Sequence, residues 1–195
     1  MNRILRFTGV LIILVGMPLF AWYFLEKGTA MRKNAMRSLE PKTVLGHFET
    51  QTEKDQTVTA VSLNGKRWLI AVIGIGESRI HAAEVILKLY RQSQDEFHPK
   101  FLTITGMNSG EAMPAMTQLL QFPSNNNDWL ICYMAAEHIY PFSAEAFNIP
   151  EGYRNQPVII LVDENQKIRN YYLINDSSQM QTLVREYPVF LSLKK

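Results

Sequence analysis

Apolar residues follow two rhythms along this chain, and the change from one to the other marks its central element. Trp68 to Ile75 is a short run, apolar apart from Gly74 and rich in β-branched residues. That pattern predicts a strand covered on both faces. Gly74 and Gly76 punctuate its end, and Glu77 and Ser78 offer capping chemistry for a helix. Ile80, Ala83, Ile86, Leu87 and Tyr90 then recur at helical spacing, with Glu84, Lys88 and Arg91 on the other face. Strand, glycine turn and helix make the first half of a βαβ unit. Functional groups in such folds usually sit at the turn, here Gly76-Glu77-Ser78-Arg79-Ile80-His81, which holds no cysteine.

The same reading extends over the whole chain. Phe7 to Leu25 is a run of nineteen residues without a charge, long enough to span a hydrocarbon core, with Trp22 and Tyr23 near its end. It reads as an uncleaved signal anchor rather than a cleaved leader, because it is long for an h-region and no small-x-small site follows. Thr29 to Lys42 is a polar tether or short juxtamembrane helix ending at Pro41. Val44–Glu49 and Thr57–Leu63 predict two short strands around a polar turn. After the first helix, Lys100–Thr105 predicts a strand, Met107–Gly110 a loop, and Glu111–Phe122 a helix with Met113, Met116, Leu119 and Leu120 on one face. Trp129–Met134 is another apolar strand, and Ala135–Phe147 a short helix broken near Pro141. Pro157–Asp163 and Lys167–Leu173 predict a hairpin. Ser177–Glu186 closes the chain as a helix with Met180, Leu183 and Val184 inward, stopped by Pro188. Strands alternating with helices, then a hairpin and a helix, point to an α/β fold with a mixed sheet.

Composition narrows the function classes. A net charge of +2 over 195 residues gives no basic footprint for nucleic acid. A single cysteine, Cys132, cannot form an internal disulfide, a Cys-x-x-Cys redox pair or a cysteine-rich zinc site.

Several stretches resemble the Sco/SenC branch of the thioredoxin superfamily. They are the N-terminal anchor, LNGKRWLIAVIGI, KFLTIT with its loop and helix, DWLICYMAAEHIYPFSAEAFNIP, and PVIILVDENQKIRNYYLINDSSQMQTLVREYPVFL, together about residues 44 to 191. Members of that family are membrane-tethered copper chaperones and thiol-disulfide factors for assembly of the binuclear copper centre of cytochrome c oxidase. The resemblance implies a thioredoxin-like fold with a central mixed β-sheet flanked by helices, an N-terminal β-hairpin and a single N-terminal transmembrane helix. It implies a division into an anchor (1–26), a juxtamembrane linker (27–43) and a thioredoxin-like domain (44–195). It also places the domain on the periplasmic or extracytoplasmic side, since Arg3 and Arg6 before the span and Lys27, Arg32, Lys33 and Arg37 after it do not favour that orientation by themselves. The family carries Cys-x-x-x-Cys-Pro at the strand-to-helix turn, thiolates that suit copper. Here that turn is GESRIHA, and the family's histidine before the penultimate strand is matched by Tyr153-Arg154-Asn155-Gln156, with Asn155 nearest. None of the three ligands carries over. Pro157 stands where many thioredoxin folds have a cis-proline, and a cis or a trans bond fits equally.

The remaining candidates are weak. His81 with Glu77 at i, i+4 offers two metal ligands on one helix face, but no third is evident, and an exposed histidine beside the turn is the plainer account. Cys132 lies in an apolar run, where a thiol normally packs. His47, His98 and His138 show no metal spacing; Glu137, His138, Tyr133 and Met134 suit a surface helix start. Met107 and Met113 are thioethers that suit Cu(I), yet core filling explains them. The expectation is therefore a membrane-anchored, non-catalytic, Sco-like domain with no assigned catalytic, cofactor or metal residue. It would act by binding an unknown protein partner, in respiratory-complex or envelope-protein assembly, with no nucleic acid. The alternative is a copper-handling or thiol-disulfide assembly factor for cytochrome c oxidase with non-standard ligands.

Overall fold

A computed structural model describes residues 12–76, 78–93, 99–112, 118–123 and 128–193. The chain divides into two compact units at Ser38/Leu39. In the first, a π-helical turn, Ile12–Gly16, leads into α1, Met17–Ser38. No proline interrupts the chain between Pro18 and Pro41, and the helix takes up most of the stretch expected to be a tether or short juxtamembrane helix. Among the described residues no helix is long and apolar enough to cross a membrane. The expected span begins at Phe7, outside the described residues, and α1 passes from its apolar front into Lys27, Arg32, Lys33 and Arg37.

The second unit is built from β1 (Thr43–Val44), β2 (Glu49–Gln51), β3 (Thr57–Thr59), β4 (Trp68–Gly74), α2 (Ser78–Ser93), β5 (Lys100–Met107), β6 (Trp129–Ala135), α3 (Ile139–Ala146), β7 (Val158–Val162), β8 (Lys167–Leu173) and α4 (Ser177–Ser192). Six strands form one sheet in the order β1-β8-β7-β4-β5-β6, and β2 and β3 form a separate hairpin. Strands β4, β5 and β6 run parallel, while β7 is antiparallel to β4 and β8 to β7. The mixed α/β sheet expected from the sequence is present. All seven residues of β4 are buried, as the unbroken apolar run requires. Its odd-numbered side chains Leu69, Ala71 and Ile73 join Ala82, Ala83, Ile86, Leu183, Tyr187 and Phe190 in one core. The even-numbered Trp68, Ile70 and Val72 join Ile139, Ala146 and Phe147 in the other. Helices α2 and α4 thus cover one face and α3 the opposite one.

The structure corrects several details. Val44 does not start the hairpin: backbone groups of residues 42–45 bond to Ile168 and Gln166, so β1 joins the main sheet and the hairpin begins at Glu49. Residues Val61–Leu63 turn as a 3-10 helix. Strand β5 extends to Met107, because its neighbour β6 supplies partners as far as Ala135. Of the helix expected over 111–122, positions 113–117, with Met113 and Met116, lie outside the described residues; Leu119 is exposed and Leu120 buried, so these two do not share a face. Pro141 falls in the first turn of α3, where its missing N–H costs nothing, and the helix is unbroken there. In α2 the inward stripe is Arg79, Ala82, Ala83, Ile86, Leu89 and Ser93, rotated from the expected one, and Ile80 is exposed.

The largest correction concerns α4, which continues through Pro188 to Ser192. Arg67 explains this. Its guanidinium donates to the carbonyl oxygens of Leu191 and Leu193, closing the helix end, while Nε binds Glu164 Oε2 at 2.9 Å. It also lies 6.0 Å from the centroid of the Phe190 ring. The sacrificed backbone bond at Pro188 is offset by this cap and by burial of Phe190. The same helix is fixed from within by Glu186, whose buried carboxylate accepts from Asn170 Nδ2 (3.1 Å) and from the Tyr172 hydroxyl. Asn170 Oδ1 in turn accepts from Lys42 Nζ, so the network ties the chain entering β1 to β8 and α4. Burial and the adjacent carboxylate push the Tyr172 phenol up, and burial pulls Lys42 down.

If residues beyond Pro188 close the core, Phe190→Ala will lower the stability of the full chain by about 3–5 kcal/mol. A urea midpoint that stays at the wild-type value would show that the helix effectively ends at Pro188.

Candidate functional site

The candidate site is the edge where β4 delivers the chain to α2. A buried strand that must hand over to a helix on one face needs a sharp turn, and Gly74 provides it with φ +66°. The site leaves no room for a side chain at this position. A Cβ on Gly74 would stand 2.2 Å from the hydroxyl of Tyr140, and one on Gly106 of β5 would stand 2.3 Å from Ile75 Cγ2. Tyr140 from α3 and Ile75 therefore close over the ends of β4 and β5. Burial pushes the Tyr140 phenol up.

Beneath the turn lies an ion pair. Arg79, in the first turn of α2, is 5% exposed. Its Nη1 donates to Gly106 O at 2.8 Å and to Glu111 Oε2 at 3.1 Å, and its Nη2 donates to Glu111 Oε1 at 3.0 Å. Glu111 also accepts from the backbone N–H of Asn108 at 2.8 Å. A cation near a helix N-terminus opposes the helix dipole, and a buried one needs a partner; the bidentate carboxylate supplies it. The Arg79 hydrogen bond, followed by that of Asn108, holds the Glu111 carboxyl down to about 2. The pair staples the start of α2 to the loop after β5. Arg79 Nε remains buried without a partner among the described residues.

Sequence reasoning did not single out Arg79 or Glu111. A signal existed: position 79 begins the inward series 79-82-83-86, so an arginine there must be buried and paired. Its partner, 32 residues away, has no sequence signature.

The residues singled out from the sequence do not converge. Glu77, His98 and Met113 lie outside the described residues. His81 is exposed on α2, beside a groove described below. His47 is exposed between β1 and β2, and His138 stands in solvent 4.0 Å from Glu137. Met107 ends β5 and packs partly buried against the core. Asn155 is exposed with φ +59°, and the peptide bond preceding Pro157 is trans. Cys132 is fully buried on β6, in the core on the α3 side, away from the face that α2 covers. Burial pushes its thiol up to about 12, against a smaller opposing hydrogen bond with Thr50. Among the described residues, no group of three or more His, Cys, Asp or Glu is placed to hold a metal ion.

No family model matches the sequence, and no curated protein matches it. Solved structures do match. The fold is similar to that of BsSco, a member of the Sco family of cytochrome c oxidase assembly proteins in which a disulfide switch was identified (TM-score 0.57, 18% identity, 80% of this chain and 98% of that one). It is similar to a SCO1/SenC family lipoprotein from Bacillus anthracis (TM-score 0.54, 17% identity, 76% of this chain and 96% of that one). It is equally similar to the thioredoxin domain of a thiol-disulfide oxidoreductase from Bacteroides vulgatus (TM-score 0.55, 18% identity, 76% of this chain and 98% of that one).

The fold is thioredoxin-like. Its structural neighbours include Sco/SenC proteins and thiol-disulfide oxidoreductases alike, whereas these 195 residues contain one cysteine.

Two outcomes follow from this geometry. Glu111 has a carboxyl depressed from its ordinary 4.5 to about 2. The stability it contributes is thus present above pH 4.5 and lost as pH falls through about 2. Glu111→Gln will cost roughly 1–3 kcal/mol at neutral pH, moderated by solvent because the Glu111 side chain is 27% exposed, and will flatten that acid limb. A pH series of urea midpoints that is identical for both proteins would exclude the pair as a structural staple. Cys132 in the native chain will resist iodoacetamide at mildly alkaline pH and react once guanidinium unfolds it; fast native labelling would show an accessible thiolate.

Proposed function

We propose that this chain is a membrane-anchored, Sco-like thioredoxin-fold domain that works without catalysis, by holding a protein partner on the extracytoplasmic side during respiratory-complex or envelope-protein assembly. The observation that carries this reading is the turn itself. Where the redox and copper-binding family has its thiols, this chain has a glycine turn covered by Tyr140 and riveted from below by the Arg79–Glu111 pair. Its one cysteine lies in the opposite core. Such a turn offers packing and an ion pair rather than a set of soft ligands or an exposed thiolate.

The anchor rests on the apolar run from Phe7 to Leu25. Leu14, Leu19, Phe20, Trp22 and Leu25 are each more than half exposed, which leaves them suited to lipid. The boundaries proposed are an anchor over 1–26, a linker over 27–43 and the domain over 44–195. The Sco/SenC neighbours support the assembly role, and BsSco is described as a cytochrome c oxidase assembly protein.

Cu(I) titration of the full chain in detergent, against a competing chelator, tests the reading. We expect no binding above the chelator background, no change on His81→Ala or Cys132→Ser, and retention in membranes after an alkaline carbonate wash. Tight equimolar Cu(I) binding that collapses with His81→Ala would overturn it in favour of a copper-handling factor with new ligands.

A further inference from the structure

Helix α4 departs from simple amphipathicity. Leu183, Tyr187 and Phe190 form its core stripe, yet Met180 and Val184 continue a second apolar stripe beside it, and Val184 is 57% exposed. The sequence pattern predicts Val184 inward; in the structure it faces out. This second stripe forms one wall of a groove of about 620 Å³ between α2 and α4. Val85 and Ile174 complete its apolar floor, and His81 and Arg185 stand at its rim. None of the described residues that line it is acidic. The carboxylates closest in sequence are Asp176, Glu84 and Glu186, and Glu186 is buried and bonded to Asn170 Nδ2 and the Tyr172 hydroxyl. Asp176 caps α4, bonded to the N–H groups of Ser178 and Gln179, and Glu84 lies on the exposed face of α2.

The location matters as much as the lining. Strands β4 and β8 are each antiparallel to β7, so both end at the same edge of the sheet. The N-termini of α2 and α4 therefore share that edge, the α4 terminus being already capped by the Asp176 carboxylate. Ile75 at the strand end and Ile80 in the first turn of α2 are also exposed there. In the second unit, only Val44, Val61 and Leu119 are other large apolar side chains exposed among the described residues. Exposed apolar surface rimmed by polar groups marks interaction sites.

We infer that the groove between α2 and α4 is the partner-docking surface of this domain, and that it takes an amphipathic helical segment with an apolar face flanked by carboxylates. The inference rests on the partner-holding role proposed above and supplies the chemistry of the partner. The apolar floor receives side chains at i, i+3 and i+4 spacing, as in other helix-in-groove complexes. Arg185, with the His81 ring at the opposite rim, pairs with the flanking carboxylates and sets orientation.

The probe is a fluorescent synthetic helix with Leu along one face and Glu on both flanks, and a copy with Lys in place of every Glu. Each is titrated by anisotropy into the full chain held in nanodiscs of neutral lipid. The Glu peptide will bind at least about tenfold more tightly than the Lys peptide. Val184→Asp and Arg185→Glu, both at exposed positions, will each weaken the Glu peptide by about tenfold or more, and Arg185→Glu will strengthen the Lys peptide. Equal binding of the two peptides, or binding unmoved by either variant, would overturn the inference. So would variants that leave peptide binding intact and instead abolish association with phosphatidylglycerol vesicles, since the groove would then face lipid. Failure here leaves the non-redox reading standing, because that reading is decided by the copper titration.

Discussion

Everything in the second unit depends on burying β4 from both faces. Seven consecutive residues are buried, so helices must cover both sides and strands must flank both edges. That single requirement generates two cores, one filled by α2 and α4 and the other by α3 with the aromatic side chains Phe48 and Phe147. Such burial is the dominant favourable term in folding and is roughly proportional to the apolar area hidden. It also determines where the chain emerges. A strand at the middle of a sheet can hand over to a helix only at the sheet edge, and Gly74 makes that handover.

The edge is the place where the thioredoxin architecture ordinarily presents its chemistry. In this chain it presents packing and charge. Tyr140 and Ile75 occupy the space above the two glycines, and Arg79 is sunk beneath them with Glu111 as its counter-charge. A buried guanidinium is costly unless it is paired; here Nη1 and Nη2 are engaged, and removing either partner of the pair leaves an uncompensated charge. The pair therefore acts as a condition on the fold: the loop after β5 and the start of α2 must be correctly placed together.

The far side of the domain shows the same use of polar groups as positional locks. Lys42, Asn170, Tyr172 and Glu186 connect the entering strand, β8 and α4 through one network, exposed at Lys42 and buried beyond it. Arg67 closes the end of α4 through two backbone carbonyls. Each lock joins segments more than 120 residues apart, at Lys42–Asn170 and at Arg67–Leu191. Both tie α4 to the rest of the unit through hydrogen bonds.

The alternation of strands and helices, the buried character of β4, the hairpin of β7 and β8, and the absence of a thiol at the strand-to-helix turn were legible in the sequence, because each is local. A run of apolar residues, a glycine pair or a missing cysteine can be read without knowing what lies opposite. What the sequence misplaced was decided across the fold. Pro188 is a helix stop by local rules and is overruled by Arg67 and by burial of Phe190. Val184 is inward by periodicity and outward in fact, because α4 meets the sheet along Leu183 and Tyr187 instead. Val44 joins β8 because that edge offers unpaired backbone groups. The Arg79–Glu111 pair was half visible, as an arginine at an inward helical position, and its carboxylate was not. Propensity and periodicity are properties of neighbours along the chain, whereas a counter-charge, a cap or a groove is made by residues that only the tertiary structure brings together.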